Sequence, residues 1–290
     1  MPSPLRLPGA FLFPVLALAA AALAAPTHAQ DAAALASLYR AQVDLRLDVP
    51  PAEARRYAAL AEQALARAGI VPDRPQYVAV VDRDPGVQAF LLFWRPLQGE
   101  ALWVGASPVS TGSPGSFDHF ATPLGVFDHS TDNPDFRAEG TLNSNGIRGY
   151  GAKGMRVYDF GWQRAPKGWG DRAVMAMRLQ MHATDPDALE RRLGSAQSKG
   201  CVRIPASLNR LLDHYGVLDA AYNELLAAGH HPWVLPPDRE PVADAGRYLV
   251  VLDTQRQQRP EWSPARVLAH RRPAPPARAL DPHQPRRTAP

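Results

Sequence analysis

Residues 173–182 read Ala-Val-Met-Ala-Met-Arg-Leu-Gln-Met-His, and this stretch decides how the rest of the chain is read. Met175, Met177, Leu179 and Met181 alternate with Ala176, Arg178, Gln180 and His182, a period of two that belongs to a half-buried β-strand. The alternation sets His182 on the face opposite the methionines. It also sets it at the strand's end, where a side chain leaves the core and meets solvent or substrate.

Upstream, Tyr77–Val81, Val87–Trp94 and Ala101–Val109 are further short apolar runs. The turn residues Asp82-Arg83-Asp84-Pro85-Gly86 join the first two as a hairpin. Downstream, Leu208, Leu211, Leu212 and Tyr215 recur at helical spacing, residues 220–228 offer a second helix, and Trp233-Val234-Leu235 is a candidate strand to close the sheet. The fold class expected is mostly β of the α+β kind, a sheet domain with helices packed on it. Ahead of it, residues 30–75 form a helical lead-in. Within it, Tyr57, Leu60, Ala61, Ala64, Leu65 and Ala68 mark an amphipathic helix that starts at Pro50-Pro51 and is stopped by Gly69 and Pro72.

The ends of the chain differ from its body. Arg6 followed by the apolar stretch 11–25 and the small residues before Gln30 reads as a signal peptide, 1–29, cleaved after Ala29. That implies export to the periplasm and no integral membrane span in the mature chain. From Gln255 to Pro290 eight arginines face only Glu261 and Asp281, a net charge of +6 in a chain whose total is +4, so the body is slightly acidic. The tail, 255–290, is too rich in proline for regular helix and reads as a solvated extension or a tether to an anionic polymer. With the basic charge confined there and no basic stripe interleaved with aromatics in the body, nucleic acid is not an expected partner.

Residues 128–171 are polar and rich in glycine, with Asn143, Asn145, Arg148, Tyr150, Tyr158, Trp162 and Trp169. They read as a long loop of the kind that carries function. Its tryptophans either recognise sugars or peptides or pin the loop to the core.

The chain has one cysteine, in the run Ser198-Lys199-Gly200-Cys201-Val202-Arg203. A lone thiol in an exported protein is buried and inert, paired with another molecule, or retained for its chemistry. Free cysteine titrates near 8.5, so a nucleophilic one needs a base or positive surroundings. His182 is the natural base, Lys199 and Arg203 flank the thiol with positive charge, and Gly200 permits a tight turn whose N–H, with that of Cys201, faces a developing oxyanion. His119, His129 and His214 have no ligand spacing among themselves and His230-His231 are adjacent, so no metal site is expected.

His182, then Ser198, Gly200, Cys201, Val202 and Arg203, resemble the signature of the L,D-transpeptidases with a YkuD-type catalytic domain. Val109-Ser110-Thr111-Gly112 and Thr122-Pro123-Leu124-Gly125-Val126-Phe127 are similar to further elements of that domain. The resemblance covers about Gln76 to Pro236 and implies a catalytic domain over 76–237, a mixed β-sandwich with the cysteine in a cleft, followed by an extension, 238–254, able to add a strand. It implies Cys201 as nucleophile, His182 as base, the Ala183 carbonyl as the group that orients His182, and Gly200 with Cys201 as the oxyanion hole. Ser198, Lys199 and Arg203 would shape the substrate site, Arg203 either binding a substrate carboxylate or forming a structural ion pair. Lys199 departs from the family, which has a second histidine there. No cofactor is implied. The substrate implied is a peptidoglycan stem peptide, with an amine of a second stem or of a wall-attached protein as acceptor. A carboxypeptidase or amide hydrolase using water instead, and a noncatalytic wall-binding protein, are the alternatives.

Overall fold

The computed structural model describes residues 28–71 and 73–264. Residues 1–27 of the signal peptide read over 1–29, and most of the basic tail, 265–290, lie outside the described residues. Among the described residues, nine strands form two mixed sheets. The first has the order β3-β2-β1-β9-β4 and comprises β1 (Gln76–Asp82), β2 (Ala89–Arg95), β3 (Leu102–Pro108), β4 (Gly125–Asp128) and β9 (Tyr248–Leu252). The second has the order β5-β6-β7-β8, from β5 (Phe136–Arg137), β6 (Arg156–Pro166), β7 (Val174–Ala183) and β8 (Val202–Ile204). β1 and β2 pair as the antiparallel hairpin read from the sequence, and β7 is the strand that its alternation announced.

One core lies between the sheets. Tyr77, Ala79, Val81, Phe90 and Leu92 from the first meet Tyr158, Leu179, Met181, Val202 and Ile204 from the second, and α3 (Ala206–His214) closes it with Leu208, Leu211 and Leu212. The opposite face of the first sheet, with Val78, Val80, Leu91 and Phe93, is covered by Ala54, Tyr57, Ala61 and Ala64 of α2 (Pro51–Arg67). Cover on both faces explains why β1 is an unbroken apolar run and not an alternating one. The lead-in is therefore part of the packed body. Its first helix, α1 (His28–Gln42), puts Leu35 and Tyr39 into the inter-sheet core, and the Tyr39 hydroxyl lies 2.6 Å from Ser107 Oγ.

Three expectations are corrected. Trp233–Leu235 is a turn; the sheet is completed by β9, the strand that 238–254 was expected to be able to add, which is inserted between β1 and β4, so the sheet does not end at 237. Residues 128–171 are not one loop, because they contain the eleven-residue β6. Residues 255–264 are not free tail either: Arg256 pairs with Glu53, Trp262 packs edge-on against Tyr57 at 5.9 Å, and Ser263 Oγ donates to the Gly86 carbonyl at 2.8 Å. Among the described residues, no helix is long and apolar enough to cross a membrane.

Candidate active site

β8 runs parallel to β7, with Val202 level with Met181 and Arg203 level with His182. Cys201 immediately precedes Val202 and so comes level with Gln180. Side chains two apart share a face, and so do paired residues, which groups Gln180, His182, Cys201 and Arg203 on one face of the second sheet.

The turn that delivers Cys201 is held from several directions. Gly200 has φ +138°, a backbone conformation that favours glycine, and a Cβ there would also push on the flexible end of Met177. Ser198 Oγ donates to the Cys201 carbonyl at 2.5 Å and accepts the Gly200 N–H at 3.0 Å. Thr122 Oγ1 donates to the Gly200 carbonyl at 2.7 Å and accepts the Gly112 N–H at 2.9 Å. Gly112 itself approaches so closely that a Cβ would sit 2.0 Å from the Phe120 carbonyl oxygen. Ser110 exchanges two backbone hydrogen bonds with Arg203, at 3.0 and 2.9 Å. The Ser-Thr-Gly and Thr-Pro segments read from the sequence thus act as the clamp around the cysteine turn.

Ser198 is 1 % exposed and spends its hydroxyl inside this turn, which makes it a positioning residue and not a substrate contact. The Gly200 N–H, expected to face an oxyanion, is committed to Ser198 Oγ. Lys199 points away from the thiol into solvent, where its ammonium pairs with Asp118 at 2.7 Å.

His182 is 3 % exposed, a correction to the solvent-facing position that strand alternation suggested. Its cover is Tyr150, whose ring meets the imidazole edge-on at 4.7 Å and whose hydroxyl donates to Gln180 Oε1 at 3.2 Å. The segment carrying Tyr150 is tied to the end of β7 by Arg148, whose N–H donates to buried Asp185 at 2.7 Å. His182 Nδ1 lies 2.8 Å from the Ala183 carbonyl. A carbonyl only accepts, so Nδ1 carries the proton and Nε2 of the neutral ring holds the lone pair. Burial, reinforced by the Arg203 charge and opposed by the Ala183 hydrogen bond, brings the His182 pKa down to about 4.

Burial also pushes the Cys201 thiol up from its ordinary value of 9.0, although backbone hydrogen bonding from Gln180 and the Arg203 charge pull the other way. The positive flank expected to favour thiolate is thus reduced to Arg203 and outweighed. The resting pair is thiol and neutral imidazole. Arg203 is itself two-sided: burial lowers its pKa, the Cys201 charge raises it, and its Nε is buried with no hydrogen-bond partner among the described residues. No carboxylate pairs with it among the described residues, so the structural ion pair is absent there, and its charge is felt by Cys201.

Gln180 and Asp159 are contributors that sequence reasoning missed, and Tyr150 was read only as one aromatic of the 128–171 stretch, with no link to His182. Gln180 Nε2 donates to Asp159 Oδ2 at 2.8 Å, linking the face beside Cys201 to a buried acid. A pocket of about 430 Å³ adjoins Tyr150, lined also by Phe136, Glu139, Leu142 and Asn143. Of the two tryptophans, Trp169 pins its segment, edge-on to Phe120 at 5.1 Å, whereas Trp162 is 65 % exposed. His129 is fully buried against Asp135, and no cluster fit for a metal occurs among the described residues.

No protein-family model and no curated protein matches this sequence.

Proposed function

We propose that the chain is an exported cysteine acyltransferase of the L,D-transpeptidase kind, acting on peptidoglycan stem peptides in the periplasm. The observation that carries the reading is the grouping on one sheet face of a thiol, an imidazole whose tautomer leaves Nε2 as acceptor, and a half-buried arginine whose Nε has no partner among the described residues.

In the first half-reaction Arg203 binds the terminal carboxylate of a tetrapeptide stem. Cys201 Sγ attacks the carbonyl carbon of the third residue as its proton passes to His182 Nε2. The C–N bond to the last residue breaks, the departing amine takes that proton, and the stem remains as a thioester on Sγ. In the second half-reaction an amine of another stem, or of a wall-attached protein, attacks the thioester, gives its proton to Nε2, and the thiol is restored. The Cys201 N–H is the oxyanion donor, and Ala183 keeps the imidazole in the productive tautomer. No cofactor enters these steps.

One observation favours water as the acceptor in a second reading: Lys199, which replaces the family's second histidine, is turned outward to Asp118 and supplies nothing to an incoming amine. Incubation with a purified disaccharide tetrapeptide separates the two by product mass. Crosslinked dimers are the result expected of transfer, trimmed tripeptide stems that of hydrolysis, and unchanged substrate would count against both.

A further inference from the structure

The face that carries Cys201 continues along β6 and β7 beyond the reacting groups. Trp162 is level with Arg178 and Arg164 with Ala176, and Trp162, Arg164 and Ala176 are all exposed. The Arg178 guanidinium lies 5.8 Å from the centre of the Trp162 ring and is fixed there by an Nε–H bond of 2.7 Å to Asp159, which is 1 % exposed. A flexible arginine is thereby held in one place, with its remaining donors available and an aromatic platform beside it.

The opposite direction along β7 is closed: past His182, Thr184 and Asp185 are each 1 % exposed and Tyr150 roofs the imidazole. An extended ligand anchored at Cys201 therefore leaves toward Arg178. From the level of Gln180 to that of Arg178 is two residues, about 6.6 Å, the same rise as two residues of an extended peptide laid alongside.

We infer that Trp162 and Arg178 form a subsite for a carboxylate carried by the acyl-donor peptide two residues to the amino side of the carbonyl that Cys201 attacks. The direction rests on the proposed function, in which Arg203 takes the terminal carboxylate at the His182 end. Arg178 forms paired hydrogen bonds with the acid, and the indole face covers the peptide's apolar edge.

The test uses two synthetic stem peptides that differ only in Glu or Gln at that position. Binding is measured by calorimetry on full-length Cys201→Ala protein, and acylation by intact mass on the wild type. The Glu peptide is expected to bind about tenfold more tightly, a preference that R178Q abolishes. W162A should weaken both peptides several-fold, with iodoacetamide alkylation of Cys201 and the melting curve unchanged from wild type. Acylation with no Glu preference, or a preference that survives R178Q, overturns the subsite while leaving the proposed function standing. An Arg178-dependent preference without acylation supports the subsite and removes the proposed reaction. Failure to bind either peptide overturns both.

Discussion

Cys201 and His182 should rest as an uncharged pair, and the pH dependence of thiol reactivity measures this directly. Burial brings the His182 pKa down to about 4 and pushes the Cys201 thiol up, so both groups are neutral at pH 7. Thiolate is therefore a minor species at pH 7, and without substrate the nucleophile must be ionised against its own burial. Because Cys201 is the sole cysteine, pseudo-first-order alkylation by iodoacetamide can be followed by intact mass. The rate should climb about tenfold per pH unit from pH 5 to pH 8 with no plateau. Arg203→Gln removes the charge that favours thiolate and should slow labelling about three- to tenfold at every pH in that range. A plateau between pH 5 and pH 8, the mark of a thiolate–imidazolium pair, would refute the reasoning. Slow labelling at neutral pH is thus a property of the proposed catalytic site as well as of an inert cysteine, and only turnover separates them.

Three further outcomes are expected. Thr122→Val keeps the volume but leaves the Gly112 N–H and the Gly200 carbonyl unpaired and buried, at about 2–4 kcal/mol in denaturant unfolding; a loss under about 0.5 kcal/mol would mean that the clamp is not there. Leu35→Ala, at a position 1 % exposed, should cost about 3 kcal/mol, whereas a helical appendage outside the core would lose almost nothing. His129 has Nδ1 facing the Leu218 carbonyl and Nε2 facing the Asp135 carboxylate; burial opposes its charge, but Asp135 prevails and holds its pKa above 6.5. The stability this gives is complete below pH 6.5 and is lost as pH rises through the folded pKa. Unfolding free energies of wild type and His129→Gln should therefore converge on the alkaline side; a constant difference from pH 6 to pH 10 would contradict the pairing.

Much of the architecture was legible because local pattern and tertiary role agree. The apolar runs of β1 to β3 and the helical spacing in α2 match the surface that each element buries, whereas the alternation of 173–182 gave the strand but not its burial, since Met175 is exposed and Gln180 and His182 are covered. β6 was hidden because its register shifts between Asp159 and Trp162, at Gly161 with φ +75°, and because buried Arg156 and Asp159 answer to partners remote in sequence. β9 lay in a stretch read as an extension, since nothing local tells a short apolar run which neighbours it will join.

At the candidate site, Cys201 and His182 were singled out by motif and spacing, and the Ala183 carbonyl, which lies 2.8 Å from His182 Nδ1, was implied by the resemblance. The burial of His182 was not, because Tyr150 arrives from thirty-two positions earlier. Nor was the outward turn of Lys199, which depends on where Asp118 sits. Adjacency in sequence suggested a cation beside the thiol, and the backbone direction at the turn sends it elsewhere.

Intact-mass spectrometry of the protein mixed with a disaccharide tetrapeptide tests the central claim most directly. The predicted result is a transient mass gain equal to the substrate less the free terminal amino acid that departs, located on Cys201 and absent from Cys201→Ala. Turnover that persists in Cys201→Ala, or a wild-type protein that neither gains mass nor changes the substrate, would contradict it.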